Sequence, residues 1–480
     1  MVSMKHLLTA FLLLTISSAV AASQTLTTLK NQPPTGAGIS YLLTDGTVIT
    51  QGDDCSSWSK LTPDKNGSYV NGTWKQIASL PSGYSPLYFA GAVLADGRVV
   101  IMGGEYSDCG GEFALTNQGA IYDPVKDTWT SMGHPNGWGW IGDSPSVVLP
   151  DGRFMMGRKL DKRDAVLDPS TLKWTELGDK GKKDFNAEEG WTLMPDGTVL
   201  TFDVKDAPHS EIYNPSEQKW ASAGSTIVDL HSPYTGGCLQ YGGGCYHPPG
   251  EVGPGMLRPD GTVFATGSGS DGGSGPGHTA VYHPSTKKWT AGPDFPNGDN
   301  AGDSFSVLLP NGNVIVRGVS GNLYEFDGKN LKNDPVGGAT PILMLPTGQA
   351  LVVGNQVQVY NPKGKYKASW APVITDSPAT VSRGSSYKIS GQQFNGLSQA
   401  ASFGDEDETA TNYPLVRITN KSSGHVFYAK THDHSTMGVA TGKTTVSTNF
   451  DVPANAETGD SSIEVVANGI PSKKVDVTVQ

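Results

Sequence analysis

Acidic residues recur at one position relative to a repeated turn, and they are the residues of this sequence with the most evident chemistry. The chain contains seven similar turns, at Asp45-Gly46, Asp96-Gly97, Asp151-Gly152, Asp196-Gly197, Asp260-Gly261, Asn311-Gly312 and Thr347-Gly348. Eight residues before the turn, the third, fourth and sixth repeats carry Asp143, Glu188 and Asp303. Glu189 follows Glu188, and the fifth repeat carries Glu251 nine residues before its turn. Four of the seven repeats therefore place carboxylates at a common level.

Three kinds of chemistry are compatible with this acidic set. Like charges that gather in one place raise each other's pKa unless they share a cation or a base. Carboxylate oxygens are ligands for a hard cation, and they also serve in acid–base catalysis or bind sugar hydroxyls. Alternatively, the carboxylates only accept backbone hydrogen bonds from neighbouring strands and hold the structure together.

Aromatic residues lie at the same level of the repeats, and aromatic faces beside carboxylates suit a carbohydrate. Tyr88 occupies the equivalent position in the second repeat. We expect Trp191 and Phe305 to pack between repeats, and Trp138 and Trp140 to be exposed in a glycine-rich loop. The predicted ligand-binding residues are thus Trp138, Trp140, Asp143, Glu188, Glu189, Glu251 and Asp303.

The elements that position these residues follow from two motifs. Each turn dipeptide lies between apolar runs and predicts a β-hairpin with a two-residue turn. A second motif follows most of these hairpins. It consists of a pair of apolar or aromatic residues, then Asp, Asn or His, then Pro, and, after a short turn, Trp, as in Ile121–Pro124 with Trp129. Two hairpins per unit give four strands over roughly fifty residues, which is typical of a kelch repeat. Such units arranged radially form a propeller, so we predict seven blades.

The rhythm stops after Trp370. The remaining hundred or so residues contain alternating strands of the kind found in an immunoglobulin-like sandwich. We therefore predict an all-β chain with a signal peptide at 1–22, a seven-bladed kelch-type propeller at 23–371, and an Ig-like (E-set) sandwich at 372–480.

This arrangement resembles the galactose oxidase and glyoxal oxidase group of secreted copper-radical oxidases. The resemblance implies copper held by two tyrosines and two histidines, with one tyrosine cross-linked to a cysteine. In that group, one Tyr-His pair lies immediately before an inner strand. The best match to that strand in this chain is Gly302–Gly312, and at the position of the Tyr-His pair this chain has Gly302-Asp303. Tyr246-His247 is a displaced alternative, one repeat earlier. Copper is therefore not supported by the motif, and a different metal ion on the propeller axis stays open.

The resemblance also implies a copper histidine from a Thr-His loop of the C-terminal domain that reaches the axis. Thr431-His432-Asp433-His434 is the matching segment. In an extended segment, His432 and His434 face the same way, and two imidazoles on one face are common metal ligands. The alternative is that one histidine caps a turn and the other lies on the surface.

Composition and the first residues indicate an exported protein. The 480-residue chain has a net charge of −11, which argues against binding to nucleic acid or anionic membranes. Met1–Ala22 has the pattern of a secretory signal, and no second apolar run suggests a membrane span. Four cysteines in such a protein predict two disulfides, Cys55 with Cys109 and Cys238 with Cys245.

Two functions remain in view at this point. The first is a secreted, galactose oxidase-like propeller that binds carbohydrate, or another ligand of the cell wall or matrix, at its acidic and aromatic mouth without a standard copper-radical site. The alternative is an extracellular oxidoreductase of the galactose or glyoxal oxidase type with an altered metal centre.

Overall fold

The computed structural model describes residues 24–480, except 112, 234–235, 242–243, 247–249, 272–273, 339–340, 404–405 and 407. The expected signal peptide and His247 lie outside the described residues. The all-β prediction is confirmed, because the regular elements are strands apart from two single 3₁₀ turns at Pro296–Gly298 and Ala368–Trp370.

The seven predicted blades are present as four-stranded antiparallel sheets. Strand β1 (Thr25–Thr28) belongs to the last blade. The first blade consists of β2 (Ser40–Leu42), β3 (Val48–Gln51), β4 (Trp58–Thr62) and β5 (Thr73–Ile77), and the second of β6 (Ala90–Val93), β7 (Val99–Met102), β8 (Gly119–Asp123) and β9 (Thr128–Ser131). The third blade consists of β10 (Ser146–Val148), β11 (Phe154–Gly157), β12 (Asp164–Asp168) and β13 (Lys173–Gly178). The fourth consists of β14 (Thr192–Leu193), β15 (Val199–Phe202), β16 (His209–Asn214) and β17 (Lys219–Ser225).

A small hairpin separates the fourth and fifth blades. It consists of β18 (Leu239–Tyr241) and β19 (Gly244–Tyr246). The fifth blade consists of β20 (Val252–Leu257), β21 (Val263–Asp271), β22 (Ser274–His283) and β23 (Lys288–Ala291). The sixth consists of β24 (Ser306–Leu308), β25 (Val314–Arg317), β26 (Asn322–Phe326) and β27 (Leu331–Gly337). The seventh consists of β28 (Ile342–Met344), β29 (Ala350–Val352) and β30 (Gln358–Asn361), together with β1.

The propeller ring is closed by a strand from the beginning of the chain. β1 pairs with β30 in antiparallel register, Thr25 opposite Asn361. The first strand of a blade lies innermost, as contacts of β2 with both β6 and β28 indicate. Residues that enter these strands therefore line one mouth of the axis, and the turns that leave them lie at its opposite face.

The repeated turn differs from the prediction in its type. A two-residue type I′ turn requires positive φ at both central residues. Only Gly46 of the Asp45-Gly46 pair has positive φ, at +75°. The Gly46 N–H donates to Leu43 O at 3.0 Å, and the Asp45 carboxylate accepts from the Thr47 N–H at 3.0 Å. The turn is thus a type I turn closed by a left-handed glycine, in which the aspartate acts through its side chain.

The tyrosine and tryptophan of the second motif are cross-strand neighbours. Tyr122 pairs with Trp129 across β8 and β9, and their ring centroids lie 5.1 Å apart. Tyr213 with Trp220 repeats this arrangement at 5.3 Å. The motif therefore encodes aromatic packing of the outer hairpin.

The C-terminal domain is one curled sheet that folds over its own apolar core. Its strands are β31 (Val373–Asp376), β32 (Thr380–Val381), β33 (Ser386–Gln392), β34 (Ala401–Ser402), β35 (Leu415–Asn420), β36 (Val426–His432), β37 (Val446–Asp451), β38 (Gly459–Ala467), β39 (Ile470–Pro471) and β40 (Val475–Val479). All except β34 belong to the curled sheet. β36 joins its halves, because Val426–Ala429 pairs with β35 and Lys430–His432 pairs with β37. The enclosed core includes Ile389, Val416 and Phe450.

This domain packs on the turn face of the propeller. The Thr431 N–H donates to Thr44 O at 3.1 Å, and the Met437 N–H donates to Pro150 O at 3.0 Å. Both acceptors lie beside a repeated turn. The domain therefore approaches the propeller from the face opposite the acidic residues.

One segment of the C-terminal domain enters the propeller axis; we call its described residues, 398–403, 406 and 408–412, the finger. Its strand β34 pairs with the inner strand β24, Ser402 opposite Ser306. The Gln399 side chain accepts from the Leu193 N–H of the fourth blade at 2.7 Å. The finger also lines, with Gly91 and Ser146, a small cavity between the second and third blades. It therefore occupies the central channel from the turn face.

Both predicted disulfides are confirmed. Cys55 and Cys109 join the first and second blades, and Cys238 and Cys245 close the insertion that contains β18 and β19, each pair with a Cα separation of 5.4 Å. Within the described part of the chain, no helix has the length and apolar character needed to cross a membrane.

Candidate functional site: the propeller mouth

Three of the predicted carboxylates meet at the mouth of the axis. Glu188, Glu251 and Asp303 precede the inner strands of the fourth, fifth and sixth blades, and one oxygen of each lies within 4.8 Å of the others. Asp303 is solvent-exposed, whereas Glu188 and Glu251 are half-buried. Glu251 and Asp303 share a side-chain hydrogen bond, which requires one of the two carboxyl groups to carry a proton.

Asp143 joins this group through a lysine that the sequence analysis overlooked. The Lys159 ammonium, at the end of β11, contacts the carboxylates of both Asp143 and Glu188. Asp143 and Lys159 are each only 2% exposed, so their charges are compensated inside the protein. Lys159 therefore ties the third blade to the fourth.

Glu105 is a further carboxylate at this site. The pKa of Glu105 is raised to about 7, chiefly by burial; Lys159 opposes this rise, and the charges of Glu188 and Asp303 add to it. Although Asp303 retains solvent access, the surrounding protein displaces much of the water around its carboxyl group and raises its pKa, and Glu188 adds to the effect. The mouth cluster consists of Glu105, Asp143, Lys159, Glu188, Glu251 and Asp303.

A signal for the overlooked residues exists downstream of the turn. Glu105 lies eight residues after Gly97, and Lys159 lies seven residues after Gly152. Since the second strand of each hairpin runs antiparallel to the first, its end returns to the mouth. Positions upstream of the turns thus supply four of the six members of the mouth cluster, and positions downstream supply Glu105 and Lys159.

The aromatic residues at the mouth differ from the prediction. Tyr88 is 37% exposed, and its ring lies 6.2 Å from Tyr106 in an edge-to-face arrangement. Burial raises the pKa of Tyr106, and the charges of Glu105 and Asp143 raise it further. Tyr88 and Tyr106 thus form an aromatic edge beside the mouth cluster.

Exposure of Trp138 and Trp140 was predicted wrongly. Trp138 is 1% exposed and belongs to the apolar core. Trp140 is half-buried, and the Arg158 guanidinium covers its ring at 4.4 Å. Its indole N–H donates to Lys159 O at 2.9 Å, so Trp140 supports the lysine backbone. The glycine-rich loop folds inward because it brings two large apolar surfaces with it.

Trp191 and Phe305 are packing residues, as expected. Trp191 lies 5.6 Å from Trp220, and Phe305 lies 4.6 Å from Phe403 of the finger. Both side chains are nearly inaccessible.

Glu189 does not join the mouth cluster. Its side chain is fully buried and contacts the Lys182 ammonium at 3.0 Å. Glu188 has φ +58°, and the two consecutive glutamates belong to different acidic groups. Their adjacency in sequence therefore hid two separate environments.

His432 and His434 do not reach the axis mouth, and the expected shared face is wrong. Asp433 between them has φ +52°, so this stretch is not extended. His432 contacts the carboxylates of Asp433 and Asp451 at 2.8 and 3.1 Å. His434 is buried, its Nδ1 lies 2.9 Å from Thr448 Oγ1, and burial lowers its pKa to about 3. The backbone N–H of His434 donates to Ala95 O beside the second turn, at the face of the propeller opposite the mouth.

The mouth donor set does not fit the copper centre that the resemblance implies. Glu188, Glu251 and Asp303 offer carboxylate oxygens, which suit hard cations, whereas copper sites use imidazole and softer ligands. The imidazoles of His432 and His434 lie at the other end of the propeller. Tyr246-His247 cannot be placed, because His247 lies outside the described residues.

Comparisons with known proteins agree with a kelch-type chain. No family model matches the sequence. N-acetylneuraminate epimerase of Haemophilus influenzae (strain 86-028NP) is 26% identical over 151 residues, covering 32% of this chain and 37% of the epimerase. Kelch-like protein terF of Aspergillus terreus is 28% identical over 164 residues, 34% of this chain and 27% of terF. The matches thus span about a third of the length of these curated relatives.

Among solved structures, a fungal alcohol oxidase of the AA5 family in complex with copper aligns over 96% of this chain and all of its own, with 13% identity and a TM-score of 0.48. A structure of YCF48 bound to D1 peptide covers 74% of this chain with 14% identity and a TM-score of 0.45. The chain is a seven-bladed β-propeller followed by a β-sandwich, and about a third of it is similar to a kelch-like protein.

Proposed function

We propose that this protein binds a carbohydrate outside the cell at the propeller mouth. The observation that carries the proposal is the convergence of Glu188, Glu251 and Asp303 within 4.8 Å at a solvent-accessible position. The aromatic edge of Tyr88 and Tyr106 lies beside this group through its neighbour Glu105.

The chemistry of these groups matches a hydroxyl-rich ligand. Ionised carboxylates accept strong hydrogen bonds from hydroxyl groups, and Glu188, Glu251 and Asp303 together present several acceptor oxygens. Tyrosine rings present apolar faces to the C–H surface of a sugar while keeping a polar tip. A site with few polar groups beside aromatic surface is typical of small-molecule recognition.

An extracellular location is part of the proposal. Two disulfides are compatible with an oxidising environment. The sequence pattern of Met1–Ala22 independently favours export.

A glycan array followed by calorimetric titration with the best sugar tests the proposal. We expect Asp303→Asn and Tyr88→Ala each to weaken binding about tenfold or more, because loss of a charged hydrogen bond or a stacked ring removes at least about 1.4 kcal/mol. Tyr366→Ala is the matched control, since Tyr366 is 40% exposed but lies beside the seventh turn at the other face. Absence of sugar binding, or equal affinity in all variants, would contradict the proposal.

A second candidate is an extracellular oxidoreductase with an altered metal centre. The specific observation in its favour is that the same three oxygens could hold one ion. Stoichiometric transition metal in the purified protein, together with peroxide released from alcohols or aldehydes and lost in Glu251→Gln, would favour this candidate. A metal-free protein that binds sugar and releases no peroxide would exclude it.

A further inference from the structure

A second acidic group lies inside the fourth blade, behind the mouth. Its members are Lys182, Asp184, Glu189, Asp203 and Glu211, and we call them the blade-four cluster. Lys182 and Asp184 come from the loop before β14, Asp203 directly follows β15, and Glu211 lies on β16. All five side chains are buried, with exposures of 3% or less.

Negative charge exceeds positive charge in this cluster. The Lys182 ammonium lies 3.0 Å from Glu189 and 2.9 Å from Glu211. Glu211 also accepts from the backbone N–H groups of Lys183 and Asp184. Lys182 therefore accounts for two of the four carboxylates and leaves the others to different partners.

Asp184 has its partners in the backbone. One of its oxygens accepts from the Val204 and Lys205 N–H groups at 2.5 and 2.8 Å. These two donors follow Asp203 directly, so Asp184 fixes the chain at the end of β15. This arrangement holds the Asp203 carboxylate close to Asp184 and Glu189.

Asp203 is the exception in the cluster. It is 3% exposed, and neither of its oxygens has a hydrogen-bond partner among the described residues. A buried carboxylate left in this state costs several kcal/mol unless a charge or a donor compensates it. One oxygen each of Asp184, Glu189 and Asp203 lie within 4.8 Å of one another. The unpartnered carboxylate thus faces the other two across a small gap.

We propose that the blade-four cluster binds a calcium ion between Asp184, Glu189 and Asp203. Calcium accepts oxygen ligands at about 2.3–2.6 Å, so ligand oxygens on opposite sides of the ion lie about 4.6–5.2 Å apart. Magnesium demands near-ideal octahedral geometry at about 2.0–2.1 Å and usually keeps several waters instead of binding in an all-protein set, so these buried carboxylates suit calcium better. The ion compensates Asp203, while Lys182 continues to serve Glu189 and Glu211.

The site has a consequence for the mouth, although it does not rest on the proposed carbohydrate binding. Glu189 is the neighbour of Glu188, which contacts Lys159 in the mouth cluster. An ion bound to Glu189 fixes the loop that presents Glu188. Removing calcium therefore loosens this loop without touching the ligand surface directly.

The test uses the whole mature protein, stripped with EDTA and titrated with calcium chloride alone. We expect one ion per chain with a dissociation constant below about 1 mM, the range of extracellular calcium modules, and a melting temperature raised by several degrees at saturation. Asp203→Asn should abolish both effects, because it replaces a ligand carboxylate by a neutral amide. Glu251→Gln, in the mouth, should bind calcium like the wild type.

The outcomes separate this proposal from the functional one. Absence of calcium binding by the wild type, or unchanged binding by Asp203→Asn, overturns the proposal. Binding that survives in Asp203→Asn but is lost in Glu251→Gln places the ion at the mouth and overturns it as well. If Asp203→Asn fails to fold, the calcium titration of the wild type alone still tests whether the protein binds the ion. Loss of sugar binding without loss of calcium binding contradicts only the carbohydrate proposal.

Discussion

At the scale of single residues, Lys159 has the largest structural role in the mouth cluster. Its ammonium contacts Asp143 and Glu188, and Asp143 is almost entirely buried. Removing one partner of a buried pair leaves an uncompensated charge, which costs more than the pair itself contributes.

We therefore expect Lys159→Met to lower the free energy of unfolding by about 3–5 kcal/mol at neutral pH, as measured by urea denaturation. Lys126→Met is the matched control, because Lys126 pairs with Asp123 while its side chain is 76% exposed. Such a surface pair contributes less than about 1 kcal/mol. Equal losses in the two variants would show that Lys159 is not a buried counter-charge.

Glu105 predicts a pH dependence of stability. Its pKa is about 7 in the folded protein against an ordinary value of 4.5. Between these values the unfolded chain has lost the proton while the folded chain keeps it, so the free energy of unfolding falls as pH rises. Glu105→Gln removes this fall. The free energy of unfolding of Glu105→Gln, relative to that of the wild type, should therefore rise between pH 4.5 and 7 by on the order of 2 kcal/mol.

Denaturation curves at several pH values measure this difference. Glu217→Gln, at an exposed glutamate on the turn after β16, is the control and should show no such trend. A constant difference between Glu105→Gln and wild type across the range would contradict the raised pKa.

At the scale of elements, the finger determines how the two domains meet. The resemblance led us to expect an axial loop at Thr431–His434, but the finger occupies the axis instead. Phe403 of the finger packs on Phe305, which directly precedes the inner strand β24. The domain interface is therefore partly inside the propeller.

We expect Phe403→Ala to lower the free energy of unfolding by about 3–5 kcal/mol, since a buried aromatic side chain leaves a cavity when truncated. Tyr366→Ala, at a 40% exposed ring, should change it by less than about 0.5 kcal/mol. Chemical denaturation measures both. A small loss in Phe403→Ala would mean that the finger is loosely held.

The blades were predictable from the sequence, while the finger was not. Turn glycines and the Tyr–Trp pairs are local signals, and they recur in successive four-stranded units, so each marks one structural unit. The strand β34 has only two residues, Ala401 and Ser402, and its partner lies nearly a hundred residues earlier. Neither periodicity nor turn chemistry encodes such a long-range pair.

The candidate site was predictable in part for the same reason. Asp143, Glu188, Glu251 and Asp303 enter inner strands at nearly constant distances before the turns, so the turn served as a measure of position. Which way a side chain points depends on one backbone angle, as positive φ at Glu188 and Asp433 illustrates. Consequently Glu189, His432 and His434 were misplaced.

At the scale of the whole molecule, the Cys55–Cys109 disulfide links two neighbouring blades across 54 residues. A cross-link of this length restricts the unfolded chain by about 4 kcal/mol in the chain-entropy model. We expect the Cys55→Ala, Cys109→Ala double variant to lose about this much stability, as measured by chemical denaturation. The Cys238→Ala, Cys245→Ala double variant is the control, because its loop spans 7 residues and should cost about 2 kcal/mol. Equal losses would contradict the loop-length argument.

The pairing of β1 with β30 also sets an order of events during synthesis. The Asn361 side chain donates to Thr25 across 336 residues of chain, so the ring cannot close until nearly the whole propeller has left the ribosome. At typical elongation rates of about 5–20 residues per second, that delay is roughly 20–70 s. Throughout it, β1 is a strand without a neighbour. Once the seventh blade has been made, its strand β30 presents an open edge to other chains until β1 pairs with it. The nascent protein therefore depends on protection of its earliest strand far more than a chain built from local contacts would.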